Sequence, residues 1–156
     1  MKKIIAWSEP TVFGQDITEL IENYYNCIPI KLSQNKPEDL ITILKLVKQS
    51  GGGVILAGGN DVSTVTLGLQ AERGDGLSKW DLQRDRRELT TIDYCFEQNI
   101  GMLSICRGFQ ILLGVKYGLG ILQDISGYPI LHSQGADNLK INEEKGDYAH
   151  RYFYIK

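Results

Sequence analysis

Short apolar runs alternate with amphipathic stretches along most of this chain, and glycine or proline marks the joins. Ile4-Ile5-Ala6-Trp7 is a continuous apolar run and predicts a first buried strand. After the turn-like Phe13-Gly14, residues Ile17, Leu20, Ile21 and Tyr24 follow helical spacing. Ile28-Pro29-Ile30-Lys31-Leu32 predicts a short second strand whose proline lies near its start, where an edge position tolerates it. Pro37-Glu38-Asp39 reads as the first turn of a helix that buries Leu40, Leu44 and Val47 and stops at Gly51.

Val54-Ile55-Leu56-Ala57, ended by Gly58-Gly59, suits a strand buried on both faces with a loop at its carboxyl end. Residues 60 to 81 are polar and glycine-bearing and read as a long surface excursion, a kind of segment that is more often functional than idle. From Asp81 to Asn99 the pattern turns helical, with Leu82, Leu89, Ile92 and Phe96 on one side and Arg84, Asp85, Arg87 and Glu88 largely elsewhere. Gly101-Met102-Leu103-Ser104-Ile105 predicts another buried strand, and Phe109, Leu112, Leu113 and Lys116 mark a helix that Gly118 caps. Strand and helix taking turns in this way argues for a three-layer α/β/α fold around a mainly parallel sheet. Beyond Gln123-Asp124-Ile125 the periodicity fades, and only Tyr152-Phe153-Tyr154-Ile155 is strand-like again.

Composition narrows the class without changing this picture. At 156 residues and 42% hydrophobic, the chain suits one domain with a substantial core. Its 17 basic and 19 acidic residues form no basic stripe and no polyacidic tail, so neither nucleic acid nor a charged partner arm is indicated. The run after Met1-Lys2-Lys3 is cut off by Ser8-Glu9-Pro10, too early for a signal peptide, and no stretch approaches the apolar length of a membrane span. A soluble, cytoplasmic protein is expected. Cys27, Cys95 and Cys106 form no CxxC pair, which indicates neither a disulfide framework nor a zinc ribbon. No metal or organic cofactor is implied. Gly51-Gly52-Gly53 precedes a strand rather than opening a helix, so it reads as a flexible turn and not as a dinucleotide fingerprint.

Cysteine after a hydrophobic strand is usually a small buried residue, and Cys27 and Cys95 are read that way. Cys106 has different neighbours. It follows the predicted strand at once and precedes the predicted helix, with small residues Ser104 and Gly108 two positions to either side, the arrangement of a nucleophile elbow. A thiol there meets the positive end of the helix macrodipole and its free N–H groups, which favour thiolate. The N–H of Arg107 is one expected donor to a tetrahedral oxyanion, and Gly58-Gly59 at a neighbouring strand end is the expected source of a second.

Ser-Ile-Cys-Arg-Gly-Phe-Gln at 104 to 110 resembles the Gly-Ile-Cys-Arg-Gly-x-Gln elbow of class I glutamine amidotransferase-like enzymes, in particular the γ-glutamyl-γ-aminobutyrate hydrolase branch, peptidase family C26. Three further blocks resemble that branch in order: Leu56-Ala57-Gly58-Gly59-Asn60-Asp61-Val62, Arg84-Asp85 with Glu88, and Gly120 with Leu122-Gln123-Asp124-Ile125. The resemblance implies a flavodoxin-like α/β/α domain in which Cys106 attacks a γ-glutamyl amide and forms a γ-glutamyl thioester that water releases. It implies an oxyanion hole from the N–H groups of Gly59 and Arg107, and it places Gly58, Asn60, Gln110 and His150 around the substrate. A small γ-glutamyl amide is the expected partner, and a homodimer is an open form of assembly.

The sequence departs from the family pattern in two places. Ser104 stands where the elbow usually has glycine, a change small enough to permit the turn. The family's base and orienting acid are a His-x-Glu pair, but His132 and His150 are followed two residues later by Gln134 and Tyr152. Taken as residues alone, both read as surface or loop histidines. The chain also stops one strand after His150, where the family continues, so residues 1–156 are expected to form a single domain lacking the C-terminal part of the family domain. Two other functions stay open: a glutaminase subunit passing ammonia to a synthetase, against which Asn60-Asp61-Val62 speaks, since that type usually has proline soon after the glycine pair, and a non-catalytic γ-glutamyl-binding protein without its base.

Overall fold

The computed structural model describes residues 2–8, 14–32, 37–63, 65–66 and 80–118. All of them fall in the unit spanning Met1–Ile121; Leu122–Lys156, with the expected terminal strand at 152–155 and the Gln123-Asp124-Ile125 segment, lies outside the described residues.

Among the described residues four parallel strands make the sheet: β1 (Ile4–Trp7), β2 (Ile28–Lys31), β3 (Gly53–Leu56) and β4 (Gly101–Ser104), in the order β2-β1-β3-β4. Ile4 pairs with Ile28, Ala6 with Val54, and Val54 with Met102, so the carboxyl ends of all four strands lie along one edge of the sheet. This is the flavodoxin-like order, in which the chain steps one way from β1 to β2 and the other way from β1's far side to β3 and β4. Right-handed crossovers then put the β1–β2 connection on one face and the later helices on the other, which yields the three α/β/α layers. Those later helices are α2 (Pro37–Ser50), α3 (Leu82–Gln98) and α4 (Arg107–Tyr117). β2 is the outermost described strand on its side of the sheet, a position that tolerates its Pro29.

The larger core lies between the sheet and α2–α4. Ala6, Val54 and Leu56 point from the strands toward Leu40, Leu44 and Val47 of α2, Ile92 and Cys95 of α3, and Ile111 and Leu112 of α4. Each fully buried aliphatic side chain contributes about 1.5–3 kcal/mol relative to exposure. α2 behaves as its spacing predicts, with Ile43 joining the buried face. The Gly51-Gly52-Gly53 run has a steric cause rather than a flexible one: a Cβ on Gly52 would come 1.8 Å from the Ile4 carbonyl oxygen.

Four expectations fail for identifiable reasons. The first helix, α1 (Gly14–Glu19), passes into a π-helical turn over Leu20–Tyr24, whose wider spacing breaks the 3.6-residue pattern; Ile21 is buried but Tyr24 is 77% exposed. Cys27 is only half-buried, its thiol donating to the Tyr25 carbonyl. β4 is the outermost described strand on its side, so Leu103 stays 51% exposed instead of buried. In α3 the expected apolar stripe is only half right: Ile92 and Cys95 are buried, yet Leu82 and Phe96 are exposed while Arg84, Asp85 and Glu88 are buried.

Leu44 is completely buried at the centre of this core, and Leu44→Ala is expected to cost about 2–5 kcal/mol in urea unfolding. A second prediction concerns Cys95, whose thiol burial pushes from 9.0 up to about 12. The folded state therefore holds this proton more tightly than the unfolded chain. The stability it contributes is fully present below pH about 9 and is lost as pH rises toward about 12. Cys95→Ala should flatten that alkaline loss in a series of unfolding curves.

Candidate active site

The elbow is built by three backbone constraints. Ile105 donates to the Leu56 carbonyl at 2.8 Å, which carries the β3–β4 pairing one residue past the strand. Cys106 then turns the chain with φ 51° and ψ −111°, a conformation that costs a non-glycine residue about 1–3 kcal/mol. Gly108 follows so close to β3 that a Cβ there would lie 2.3 Å from the Leu56 oxygen. Glycine at 108 is thus what allows α4 to start immediately above β3. Ser104, two residues before the turn, has its hydroxyl buried on the core-facing side of β4 without a hydrogen-bond partner among the described residues.

The result presents Cys106 at the helix N-terminus with an exposed side chain. Phe109 and Gln110 both donate to the Cys106 carbonyl at 3.0 Å, which closes the first turn, whereas the Arg107 N–H has no acceptor within the helix. Across from it, Gly58 sits where an added Cβ would be 3.5 Å from the Cys106 Cβ and 4.0 Å from its Sγ. Gly59 has φ 137°, open in practice to glycine alone. Cys106, Arg107, Gly58 and Gly59 therefore meet at the carboxyl ends of β3 and β4. Asn60 continues from Gly59 and is half-buried; Gln110 is half-buried in the first turn of α4. His150 and His132 lie outside the described residues.

Beneath the elbow lies a group that hydrophobic periodicity assigned to the wrong side of α3. Asp81 caps this helix by accepting from the Arg84 N–H at 2.9 Å. One turn further in, the Arg84 side chain donates through Nε to Glu88 at 2.9 Å and through Nη2 to the carbonyls of Ala57 and Gly58, each at 2.8 Å. Arg107 forks onto both carboxylates, Nη1 to Glu88 and Nη2 to Asp85. Asp85 in turn accepts from the Ser63 N–H at 3.0 Å and the Thr66 hydroxyl at 2.8 Å. The four side chains are buried and their formal charges cancel. Burial lowers the Arg84 pKa while Glu88 opposes the shift and Arg107 adds to it. The early part of the 60 to 81 segment is thereby drawn inward, and Val62 and Ser63 are buried rather than on a surface excursion. The only advance sign was the Arg84-Asp85-x-x-Glu88 spacing itself.

Among the described residues no cluster of three His, Cys, Asp or Glu side chains is placed to hold a metal ion, and no helix is long and apolar enough to cross a membrane.

A parallel sheet with this strand order, carrying a Cys-Arg-Gly turn opposite a glycine pair, has the form of the class I glutamine amidotransferase-like proteins. The chain belongs to the Peptidase C26 family, whose model matches residues 7–151. It is 33% identical over 120 residues to YvdE of Lactococcus lactis subsp. lactis strain IL1403, described as glutamine amidotransferase-like, with 77% of this chain and 48% of that protein covered. A homolog from Lactococcus lactis subsp. cremoris is 32% identical over 77% of this chain and 60% of its own length. Protein NtpR of Enterococcus hirae is 29% identical over 76% of this chain and 49% of that protein. The chain thus spans about half the length of two of these relatives and 60% of the third.

Gly108→Ala should move or unfold the elbow, whereas Gly101→Ala, whose added Cβ meets nothing within 4 Å, should leave stability within about 1 kcal/mol of wild type. Thermal unfolding of the two variants in parallel checks the contrast.

Proposed function

We propose that this protein cleaves γ-glutamyl amides by thiolate attack from Cys106. The observation that carries the reading is the strained, exposed Cys106 on the elbow, facing Gly58 at 4.0 Å from its sulfur to the added-Cβ position. A substrate carbonyl between the two strand ends has the N–H of Arg107 on one side and that of Gly59 on the other. Attack by Sγ drives the carbonyl electron pair onto oxygen, and those two donors stabilise it where the charge develops. Collapse expels the amine, which takes a proton, and leaves a γ-glutamyl thioester at Cys106. Water then hydrolyses the thioester and restores the thiol. Gln110, in the first turn of α4, and Asn60, next to Gly59, are proposed to hold the glutamyl group. Family membership supports the glutamine amidotransferase-like chemistry in general.

A second reading has a specific observation behind it. Neither His132 nor His150 is followed by x-Glu, so residues 1–156 do not contain the family's His-x-Glu pair. A protein with the elbow and the donors but without that base binds γ-glutamyl groups and turns them over slowly or not at all.

Incubation with a glutamine-mimicking diazo-ketone, followed by peptide mapping and an assay of γ-glutamyl amide hydrolysis, separates the readings. The expected result is an adduct at Cys106, none at the buried Cys95, and turnover that Cys106→Ala abolishes. An adduct without turnover moves the protein to the binding reading, and an unlabelled Cys106 overturns both.

A further inference from the structure

We infer that Arg84 is a positioning residue that aims the Gly59 N–H at the reacting carbonyl, and that Glu88 ties this donor to the elbow half of the same site. The inference rests on the reading of Cys106 as a nucleophile that attacks a carbonyl.

Peptide planarity carries the first step. The bond between Gly58 and Gly59 is trans, so the Gly58 carbonyl and the Gly59 N–H point in opposite directions from one rigid plane. Arg84 Nη2 holds the Gly58 oxygen at 2.8 Å from the α3 side, and it holds the preceding carbonyl, that of Ala57, at the same distance. With that oxygen pinned, the N–H of Gly59 is turned away from α3. Glycine at 59 adopts φ 137° without the penalty a side chain would bring, which lets the peptide settle where the guanidinium sets it.

Glu88 carries the second step. One oxygen accepts from Arg84 Nε and the other from Arg107 Nη1. Arg84 sets the β3 donor, while Arg107 supplies the α4 donor through its own backbone. A single carboxylate therefore fixes the spacing of the two. The network's hydrogen bonds satisfy buried donors, and their placement also couples it to the peptide that bears the Gly59 N–H. Here two of them go to that peptide and its neighbour.

The test compares two reagents for the Cys106 thiolate on the full chain. The glutamine-mimicking diazo-ketone presents a carbonyl, whose reaction is faster when the oxygen is polarised by the paired donors. Methyl methanethiosulfonate has no carbonyl; the thiolate attacks its sulfenyl sulfur, a methyl disulfide forms and methanesulfinate leaves. Arg84→Lys keeps a positive charge beside Glu88 but lacks the fork that reaches both carbonyls. It is expected to slow diazo-ketone labelling by roughly 10–100-fold, less than the roughly 100–1,000-fold cost of removing an oxyanion donor because the donor is misaimed and still present, at a methanethiosulfonate rate within about twofold of wild type. Glu88→Gln should show the same selective loss and decides the matter if Arg84→Lys does not fold. Equal loss with both reagents, or no loss with either in a folded variant, would overturn the inference. A wild-type protein that takes up methanethiosulfonate at Cys106 but ignores the diazo-ketone would instead remove the nucleophile reading on which it stands.

Discussion

The contact between Gly108 and the last carbonyl of β3 is the constraint from which the site is assembled. A side chain on Gly108 would lie 2.3 Å from the Leu56 oxygen, and the same oxygen accepts the Ile105 N–H at 2.8 Å. One carbonyl thus receives β4 on its way out of the sheet and supports α4 on its way in. Between these two contacts only Cys106 and Arg107 remain to reverse the chain, and Cys106 takes up a φ of 51°. The strain at the thiol is a consequence of how tightly its flanks are held. It also explains why a thiol at this position is exposed although the strand before it and the helix after it both contribute to the core.

The second constraint is electrostatic. Two guanidinium groups and two carboxylates lie under the elbow, all of them almost completely buried. Removing any one from water costs several kcal/mol, and leaving a partner unpaired costs about 3–5 kcal/mol. The set is tolerable because every charge faces an opposite one and because spare capacity is spent on backbone: Arg84 on two carbonyls, Asp85 on the Ser63 N–H. These bonds join α3 to the loop after β3 and to the first residue of α4. The helix that connects β3 to β4 in sequence is therefore also the piece that fixes the ends of both strands relative to each other.

How much of this could be read in advance follows from which forces leave a mark in sequence. Apolar runs such as Val54–Ala57 and the Leu40, Leu44, Val47 spacing of α2 register burial directly, and the strands and helices they predict are found in place. The elbow was legible because steric demand on Gly108 and Ser104 limits residue size at fixed distances from Cys106. Leu20 to Tyr24 misled because a π-helical turn abandons the spacing on which helical patterns depend. α3 misled more deeply. Hydrophobicity assumes that charge seeks water, whereas Arg84, Asp85 and Glu88 are buried against one another and against Arg107, a partner well separated in sequence. Pairwise compensation over that separation leaves no periodic trace, so the Arg-Asp-x-x-Glu spacing marked the residues without disclosing their direction. Exposure of Leu103 on β4 likewise depends on what lies beside the strand and not on the strand's own composition.

Parallel sheets of this order commonly place ligands where the chain changes direction, in the crevice between β1 and β3. In this protein polar groups link the two strand ends. The Ser8 hydroxyl, just past β1, accepts the Ala57 N–H at 2.8 Å, and Arg84 reaches across with Nη2 3.5 Å from the same oxygen. The Arg84 guanidinium thus lies beside the ends of β1 and β3, with the Ala57 and Gly58 carbonyls as its acceptors. The candidate site lies one strand over, beside the ends of β3 and β4 where the elbow rises. Among the described residues, the strained turn at Cys106 and the glycine pair after β3 come together there, held on one side by the Leu56 carbonyl and on the other by Arg84.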